Sequence, residues 1–234
     1  MIREPPVKLR IAVVIPALDE AGTIADMLKR ILAEGPDELV VVDGGSVDET
    51  VSHARHAGAC VIPSHRGRGL QQNRGAGSTS SEVLLFLHAD CYLEPGSLDN
   101  LRLFLNDHPG VAGGCFRTRV ESRDLMFRLI DIAADIRAAF LGIPYGDQGI
   151  FVRREVFDRH GGFPEIPLME DVFFSLRIRG EGRIAVVPRR IFVSPRRWQS
   201  RGLIRQSLLN WALTVAAAAG VSPSRLARFY PHIR

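Results

Sequence analysis

The apolar positions of this chain fall into short unbroken runs, separated by stretches in which they recur at helical spacing. Residues 10–15 (Arg-Ile-Ala-Val-Val-Ile) form a β-rich run closed by Pro16. Ile24, Met27, Leu28, Ile31 and Leu32 then share one face of a helix. A second run at 38–42 stops at Asp43-Gly44-Gly45, residues 48–57 read as a helix, and 59–62 as a third strand. A short helix over 69–78, a strand over 83–87 and a helix over 98–105 follow. A strand covered on both faces shows no polar alternation, because neither side meets water. The pattern therefore predicts an α/β fold: a Rossmann-like domain with a mostly parallel, mixed central sheet and helices on both faces.

The second half is less regular. Residues 111–120 read as a strand with a glycine kink at Gly113-Gly114, and 125–141 as an amphipathic helix. Residues 146–152 read as a loop entering a strand, 172–178 as a helix opened by Glu170-Asp171, and 183–187 as a short strand. A long helix over 203–221 comes last. No repeat or linker divides the chain. The expectation is one domain over 1–234: a nucleotide-binding half of about 10–91, an acceptor-binding half of about 92–198, and a helical extension from about 199.

Composition narrows the class. With 46% hydrophobic and 24% charged residues among 234, the chain is neither disordered nor fibrous. Cys60, Cys91 and Cys115 are too few and too scattered for a disulfide framework or a zinc knuckle. Residues 1–8 lack an apolar signal core, and the longest nearly apolar run, 211–221, is too short for a bilayer. A cytoplasmic location is expected. The net charge of +4 is carried mainly by arginines, which thicken at 66–74, 189–205 and 225–234. Most read as solvated surface; some suit phosphate, whose oxygens match the guanidinium fork. Nucleic acid is not an expected partner, since no helix-turn-helix or aromatic RNA-binding motif is present.

Ligands of such sheets bind beyond the carboxyl ends of the strands. Three acidic segments lie there: 16–20, 43–48 and 88–91. Asp90 in His88-Ala89-Asp90 reads equally as a turn residue or as a ligand of a hard divalent ion, which takes few carboxylates and fills its shell with water and phosphate. His88 reads first as a core or supporting histidine. Asp43 stands where a base or ribose could reach it, within what is otherwise a glycine turn. Glycines around Arg68, Gln71 and Asn73 allow close backbone approach, but neither a dinucleotide fingerprint nor a Walker loop is present. Glu170 and Asp171 suit a helix N-terminus electrostatically, and either could serve as a general base.

Taken in order, these segments resemble the family 2 glycosyltransferases of the GT-A fold. Residues 14–20 (Val-Ile-Pro-Ala-Leu-Asp-Glu) resemble an opening strand that usually ends Pro-x-x-Asn-Glu. Residues 41–48 resemble Val-Asp-Asp-Gly-Ser-x-Asp, 71–75 resemble Ala-Arg-Asn-x-Gly, and His88-Ala89-Asp90 falls at the Asp-x-Asp metal motif. Glu170-Asp171 resembles the Glu-Asp pair carrying the base, and Arg197-Trp198 the end of Gln-x-x-Arg-Trp. Gly44, His88 and Ser194 depart from the pattern, the last arguing against a processive synthase. The histidine variant also resembles a small bacterial subgroup of transferases.

The resemblance implies an inverting transferase moving a sugar from a nucleoside-diphosphate sugar, UDP-linked by default, to an acceptor hydroxyl. It implies donor contacts from Pro16, Ala17, Leu18, Glu20, Asp43, Gly45, Arg68, Gln71, Asn73, His88, Ala89, Asp90, Arg197 and Trp198. It implies Mg²⁺ or Mn²⁺ on Asp90, Asp171 as base beside Glu170, and acceptor contacts from Gly146, Asp147 and Gln148. Gly146 to Gln148 read nearly as well as a polar turn, and Trp198 as a packing residue. A nucleotide-sugar-binding protein with little transfer is the alternative; a sugar-1-phosphate nucleotidyltransferase is disfavoured because no glycine-rich loop follows the first strand. The acceptor is undefined, a small molecule or a lipid. The C-terminal helix is expected to pack on the domain or in a homodimer, ahead of peripheral contact with the inner membrane face.

Overall fold

The computed structural model describes residues 9–229, apart from the side chains of Arg197, Ser200, Arg201, Ile204 and Phe229. The expectations for residues 1–8, for Arg234 and for the Arg197 side chain lie outside the described residues.

The first half follows the hydrophobic pattern. Strands β1 (Ile11–Ala17), β2 (Glu38–Asp43), β3 (Cys60–Pro63) and β4 (Val83–Phe86) run parallel in the order β3-β2-β1-β4. Helices α1 (Ile24–Ala33), α2 (Thr50–His56) and α3 (Arg68–Gly77) connect them. Side chains of β1 alternate between two cores, as the two-residue period of a strand requires. Ile11, Val13 and Ile15 pack with Leu28 and Ile31 of α1, while Ala12 and Val14 pack with Ala76 of α3. All five β1 residues are fully buried, each larger side chain contributing about 1.5–3 kcal/mol by leaving water. Ala17 pairs with Asp43, so β1 and β2 end side by side. Leu32, expected on the inner face of α1, is 40% exposed at its edge.

The second half completes a single eight-stranded sheet, β3-β2-β1-β4-β7-β6-β8-β5. It is built from β5 (Cys91–Leu93), α4 (Ser97–Asp107), β6 (Val111–Val120), α5 (Met126–Leu141), a 3₁₀ turn (Gly146–Gln148), β7 (Ile150–Arg153), α6 (Arg154–Arg159), α7 (Glu170–Ile178) and β8 (Arg183–Val193). The chain then closes with α8 (Arg196–Arg201), α9 (Leu203–Ala218) and α10 (Pro223–Phe229). β7 is antiparallel to β4 and β6, and β5 to β8, whereas β6 and β8 are parallel.

β8 extends six residues beyond the expected strand end at 187. Pro188-Arg189-Arg190 interrupts its apolar run, but the register against β6 shifts there, pairing Phe116 with Val187 and Arg117 with Arg190. A bulge thus carries a proline without an N–H past the ladder. β5, α6, α8 and α10 have no counterpart in the sequence pattern; all are seven residues or fewer. None of the described helices is long and apolar enough to cross a membrane.

Candidate active site

Two loops at the carboxyl ends of β1 and β2 are stitched together by their own polar side chains. Asp19, with φ of 52°, donates its N–H to Ser46 Oγ at 2.9 Å and accepts from the Val47 N–H at 2.9 Å. The Glu20 N–H bonds Thr50 Oγ1 at 2.7 Å, and the Ala21 N–H bonds Asp48 at 3.1 Å. Asp43 is buried and accepts from the N–H groups of Gly45 and Ser46 at 3.1–3.2 Å. Pro16, Ala17 and Leu18 lead into this platform, with Ala17 buried in the core.

Three expected ligand residues spend their amides on the protein. Gln71 Nε2 donates to the carbonyls of Ala17 at 3.0 Å and Val42 at 2.8 Å, closing the gap between β1 and β2. Asn73 exchanges two hydrogen bonds with the backbone of Phe163, at 2.9 and 2.8 Å, and so pins the loop before α7 to α3. Gln148, fully buried, accepts from Arg137 at 2.5 Å and from the Tyr145 N–H at 3.1 Å, and donates to Thr118 at 3.0 Å. These bonds give all three a bracing function. Trp198 lies in the apolar core, edge-on to Phe127.

Six further candidates, Arg68, His88, Gly146, Asp147, Glu170 and Asp171, line a pocket of about 70 Å³, whereas Glu20, Ala89 and Asp90 are not part of its lining. Asp171 is held from two sides: its Oδ2 accepts from the Gly146 N–H at 2.6 Å and its Oδ1 from the Val172 N–H at 2.7 Å. Each carboxylate oxygen has a second lone pair, so Asp171 can still accept a proton or a hydroxyl hydrogen bond. Glu170 is buried, with the Arg68 guanidinium 4.0 Å from its Oε1. Met169, just before them, adopts a left-handed φ of 65°, a conformation costly for a side chain this size and concentrated at functional sites. His88 packs so closely that a Cβ on Gly146 would lie 2.6 Å from its Nε2.

Long-range partners of this pocket carried no local sequence signal. Tyr145, Asn210 and Leu213 also line it. Burial raises the Tyr145 pKa, its hydroxyl bonds Thr214, and the Arg137 guanidinium stacks on its ring at 3.3 Å. Tyr145 thereby ties α9 to the pocket wall. Arg196 stands in the basic stretch 189–205 with nothing in the sequence to mark it from its neighbours: its Nη2 sits 3.1 Å from Asp90 and 3.6 Å from Glu20, joining the loops after β1 and β4. Burial alone would lower the pKa of that guanidinium, but the Asp90 bond and the charges of Asp90 and Glu20 outweigh it and raise it.

No group of three or more His, Cys, Asp or Glu side chains among the described residues is arranged to hold a metal ion. Asp90, with Glu20 across the Arg196 bridge, is the local acidic pair. One or two carboxylates are the protein share usual for Mg²⁺, whose shell is otherwise water and substrate phosphate. The residues present therefore fit a divalent ion that arrives with a diphosphate. Ala89 is buried beside them.

An open α/β sheet with a cleft beyond the carboxyl ends of its strands defines the class, since ligands of such sheets bind there. The sequence model of glycosyl transferase family 2 matches residues 12–163, and the chain belongs to that family. Glucosyl-3-phosphoglycerate synthase of Mycolicibacterium smegmatis is 34% identical over 92 residues, covering 34% of this chain and 30% of that protein. The O-antigen chain rhamnosyltransferase RfbN of Salmonella typhimurium is 26% identical over 192 residues, 73% of this chain and 61% of that protein. The chain thus spans 30% of the length of the first of these relatives and 61% of the second. The mannosyltransferase PcManGT of Pyrobaculum calidifontis, solved with GDP-Man and Mn²⁺, superposes with a TM-score of 0.65 at 21% identity, covering 90% of this chain and 61% of that one. That likeness shows the GT-A fold, one Rossmann-like domain with a mixed sheet.

Proposed function

We propose that this chain transfers a sugar from a nucleoside-diphosphate sugar, UDP-linked in the first instance, to an acceptor hydroxyl with inversion at the anomeric carbon. The observation that carries the reading is Asp171, fixed by two backbone N–H groups and directed at a pocket that Arg68 and His88 also line. On this reading the donor lies against residues of about 10–91 and the acceptor against about 92–198, joined there by Asn210 and Leu213 of α9. The loops after β1 and β2 hold the nucleoside, with Asp43 and Gly45 at its edge.

Asp171 accepts the proton of the acceptor hydroxyl as that oxygen bonds to the anomeric carbon. The bond from that carbon to the diphosphate oxygen breaks, its electron pair leaving with the diphosphate. Asp90 would hold Mg²⁺ or Mn²⁺, which supplies positive charge to the leaving group when bound. Arg196 places a second positive charge at the same point, and Arg68 another facing the pocket. The mannosyltransferase solved with GDP-Man and Mn²⁺ supports the metal and leaves the base open between uridine and guanosine.

Calorimetry with UDP- and GDP-sugars, with and without Mn²⁺, tests the donor half. One nucleotide series should bind in a metal-dependent way, and Asp90→Ala should abolish the metal dependence. Folded protein that binds no nucleotide sugar would sink the reading. Asp171→Asn should bind donor normally while turnover, read as nucleoside diphosphate release, drops about 10²- to 10⁴-fold. A protein that binds donor but releases no diphosphate with any acceptor would be a nucleotide-sugar-binding protein instead.

A further inference from the structure

Helix α5 is amphipathic the wrong way round. Each of its four charged residues points into the domain. Asp131 and Asp135 accept the N–H groups of Val120 and Thr118 on β6, Arg128 donates to the Val120 carbonyl, and Arg137 is buried on the Ile143 carbonyl and Gln148. Leu129, Ile132, Ile136 and Phe140 face outward, between 52% and 82% exposed. Helix α9 continues the patch. Its inner face packs Leu213 and Ala217 against Val172 of α7, while Leu208, Trp211 and Val215 are exposed. Among the described residues, ten of the thirteen large exposed hydrophobics lie on α5, on Leu125 before it, or on α9. Such a concentration marks an interaction surface, not ordinary scatter.

Between the two helices runs a cleft of about 260 Å³, walled largely by apolar side chains. Tyr145, Asp147 and Asn210 line both this cleft and the pocket of Asp171. The apolar surface is therefore continuous with the proposed acceptor site.

Charge selects the occupant. No Asp or Glu follows Glu181, and the remaining 53 residues carry ten arginines. Arg205 on α9 is exposed, as are Arg225 and Arg228 on α10, a helix whose Leu226 packs with Leu213 and Ala217 of α9. A second copy on this face would bring two acid-free, arginine-rich segments together, whereas an anionic lipid surface neutralises them.

We propose that the outer face of α5 and α9 seats on an anionic membrane surface. The cleft between them then admits the hydrocarbon part of a membrane-borne acceptor whose hydroxyl reaches Asp171. The docking stands on the surface alone; the acceptor assignment rests on the transferase reading above.

Co-sedimentation with vesicles of phosphatidylcholine, pure or mixed equally with phosphatidylglycerol, reads the docking. The full chain should bind the mixed vesicles and bind pure phosphatidylcholine at least about tenfold more weakly. Ile132→Glu/Phe140→Glu alters two exposed side chains, so circular dichroism and nucleotide-sugar calorimetry should match wild type while mixed-vesicle binding falls at least about tenfold. Absence of wild-type binding, or binding indifferent to this variant, overturns the docking. So does a wild-type dimer in sedimentation velocity that this variant dissociates.

The tryptophans read the cleft, because both Trp residues of the chain, Trp198 and Trp211, line it. In Trp211→Phe the remaining indole is Trp198, 8% exposed on the inner wall. A bromo-terminated long-chain alcohol should quench its fluorescence, and no quenching overturns the cleft assignment. Vesicle binding without donor binding would retire the transferase reading and keep the docking; donor binding without vesicle binding would do the reverse.

Discussion

Gly44 and Gln71 exchange volume across the seam between β1 and β2. The family pattern carries an aspartate at the first position and, by its alignment with residues 71–75, an alanine at the second. Here a Cβ on Gly44 would lie 3.0–3.2 Å from the Gln71 amide, which already bonds the carbonyls of Ala17 and Val42. The longer amide occupies the space that the missing side chain vacates. Gly44→Asp alone should therefore destabilise, and Gln71→Ala alone should cost about 1–3 kcal/mol through the two amide hydrogen bonds it removes, although the Ala17 carbonyl keeps the Gly44 N–H at 2.9 Å. The double variant should recover about 0.5–3 kcal/mol as coupling between neighbours, measured by urea unfolding. Strict additivity would refute the exchange. Gly146 poses a tighter constraint, since a Cβ there meets His88 at 2.6 Å and Asp171 at 3.4 Å. Gly146→Ala should lower kcat up to about 10²-fold through displacement of the base, with donor affinity unchanged by calorimetry. A parallel loss of donor affinity would mean that the turn serves the nucleotide rather than the acceptor.

Among the elements, α5 separates what periodicity tells from what it leaves out. Spacing places Leu125, Leu129, Ile132, Ile136 and Phe140 on one stripe and Arg128, Asp131 and Asp135 on another, so the helix itself was legible. Which stripe faces inward was not, because period says nothing of direction. Here β6 offers the backbone N–H groups of Thr118 and Val120, and the aspartates take them. Burial raises the pKa of both carboxyls, against the pull of those bonds and of nearby arginines. A carboxyl raised on folding binds protons more readily in the folded state. Its contribution to stability thus grows as pH falls through the folded value and is lost as pH rises. Asp135→Asn keeps an acceptor for Thr118, so it should flatten that gain on acidification, in thermal melts between neutral pH and the ordinary carboxylate range. An unchanged slope would place the proton uptake elsewhere. The same ambiguity ran through the site. Gln71 and Asn73 on α3 and Gln148 in the 3₁₀ turn read as ligand residues because a polar amide beside the sheet's carboxyl edge serves a ligand or a brace alike. Arg196, Tyr145 and Asn210 carry no distinguishing local signal, because their contacts depend on chain crossings such as the 106 residues between Arg196 and Asp90. The parallel half-sheet was legible throughout, its strands being apolar on both faces.

At the scale of the whole molecule, the net charge of +4 conceals a polarity. Ten of the 30 basic residues follow Glu181, where no acid occurs, leaving 20 bases against all 26 acids in the first 181 residues. The first 181 residues are therefore acidic in sum, and the remaining 53 strongly basic. A near-neutral sum with opposed parts gives little long-range attraction to an anionic surface but a strong orienting effect close to it. Each arginine near such a surface contributes about 1 kcal/mol, within a screening length of about 10 Å at 0.1 M salt and about 3 Å at 1 M. The exposed leucines, isoleucines and aromatics of α5 and α9 respond differently, since their burial does not depend on salt screening. Vesicle binding should accordingly fall steeply as sodium chloride is raised from 0.1 M and then level off at a residual, apolar affinity. Ile132→Glu/Phe140→Glu should remove the residual, and Arg225→Gln/Arg228→Gln should reduce the salt-sensitive part while leaving the residual in place. Binding that vanishes completely at high salt would assign the contact to the arginines alone, and the outward face of α5 would then need another explanation.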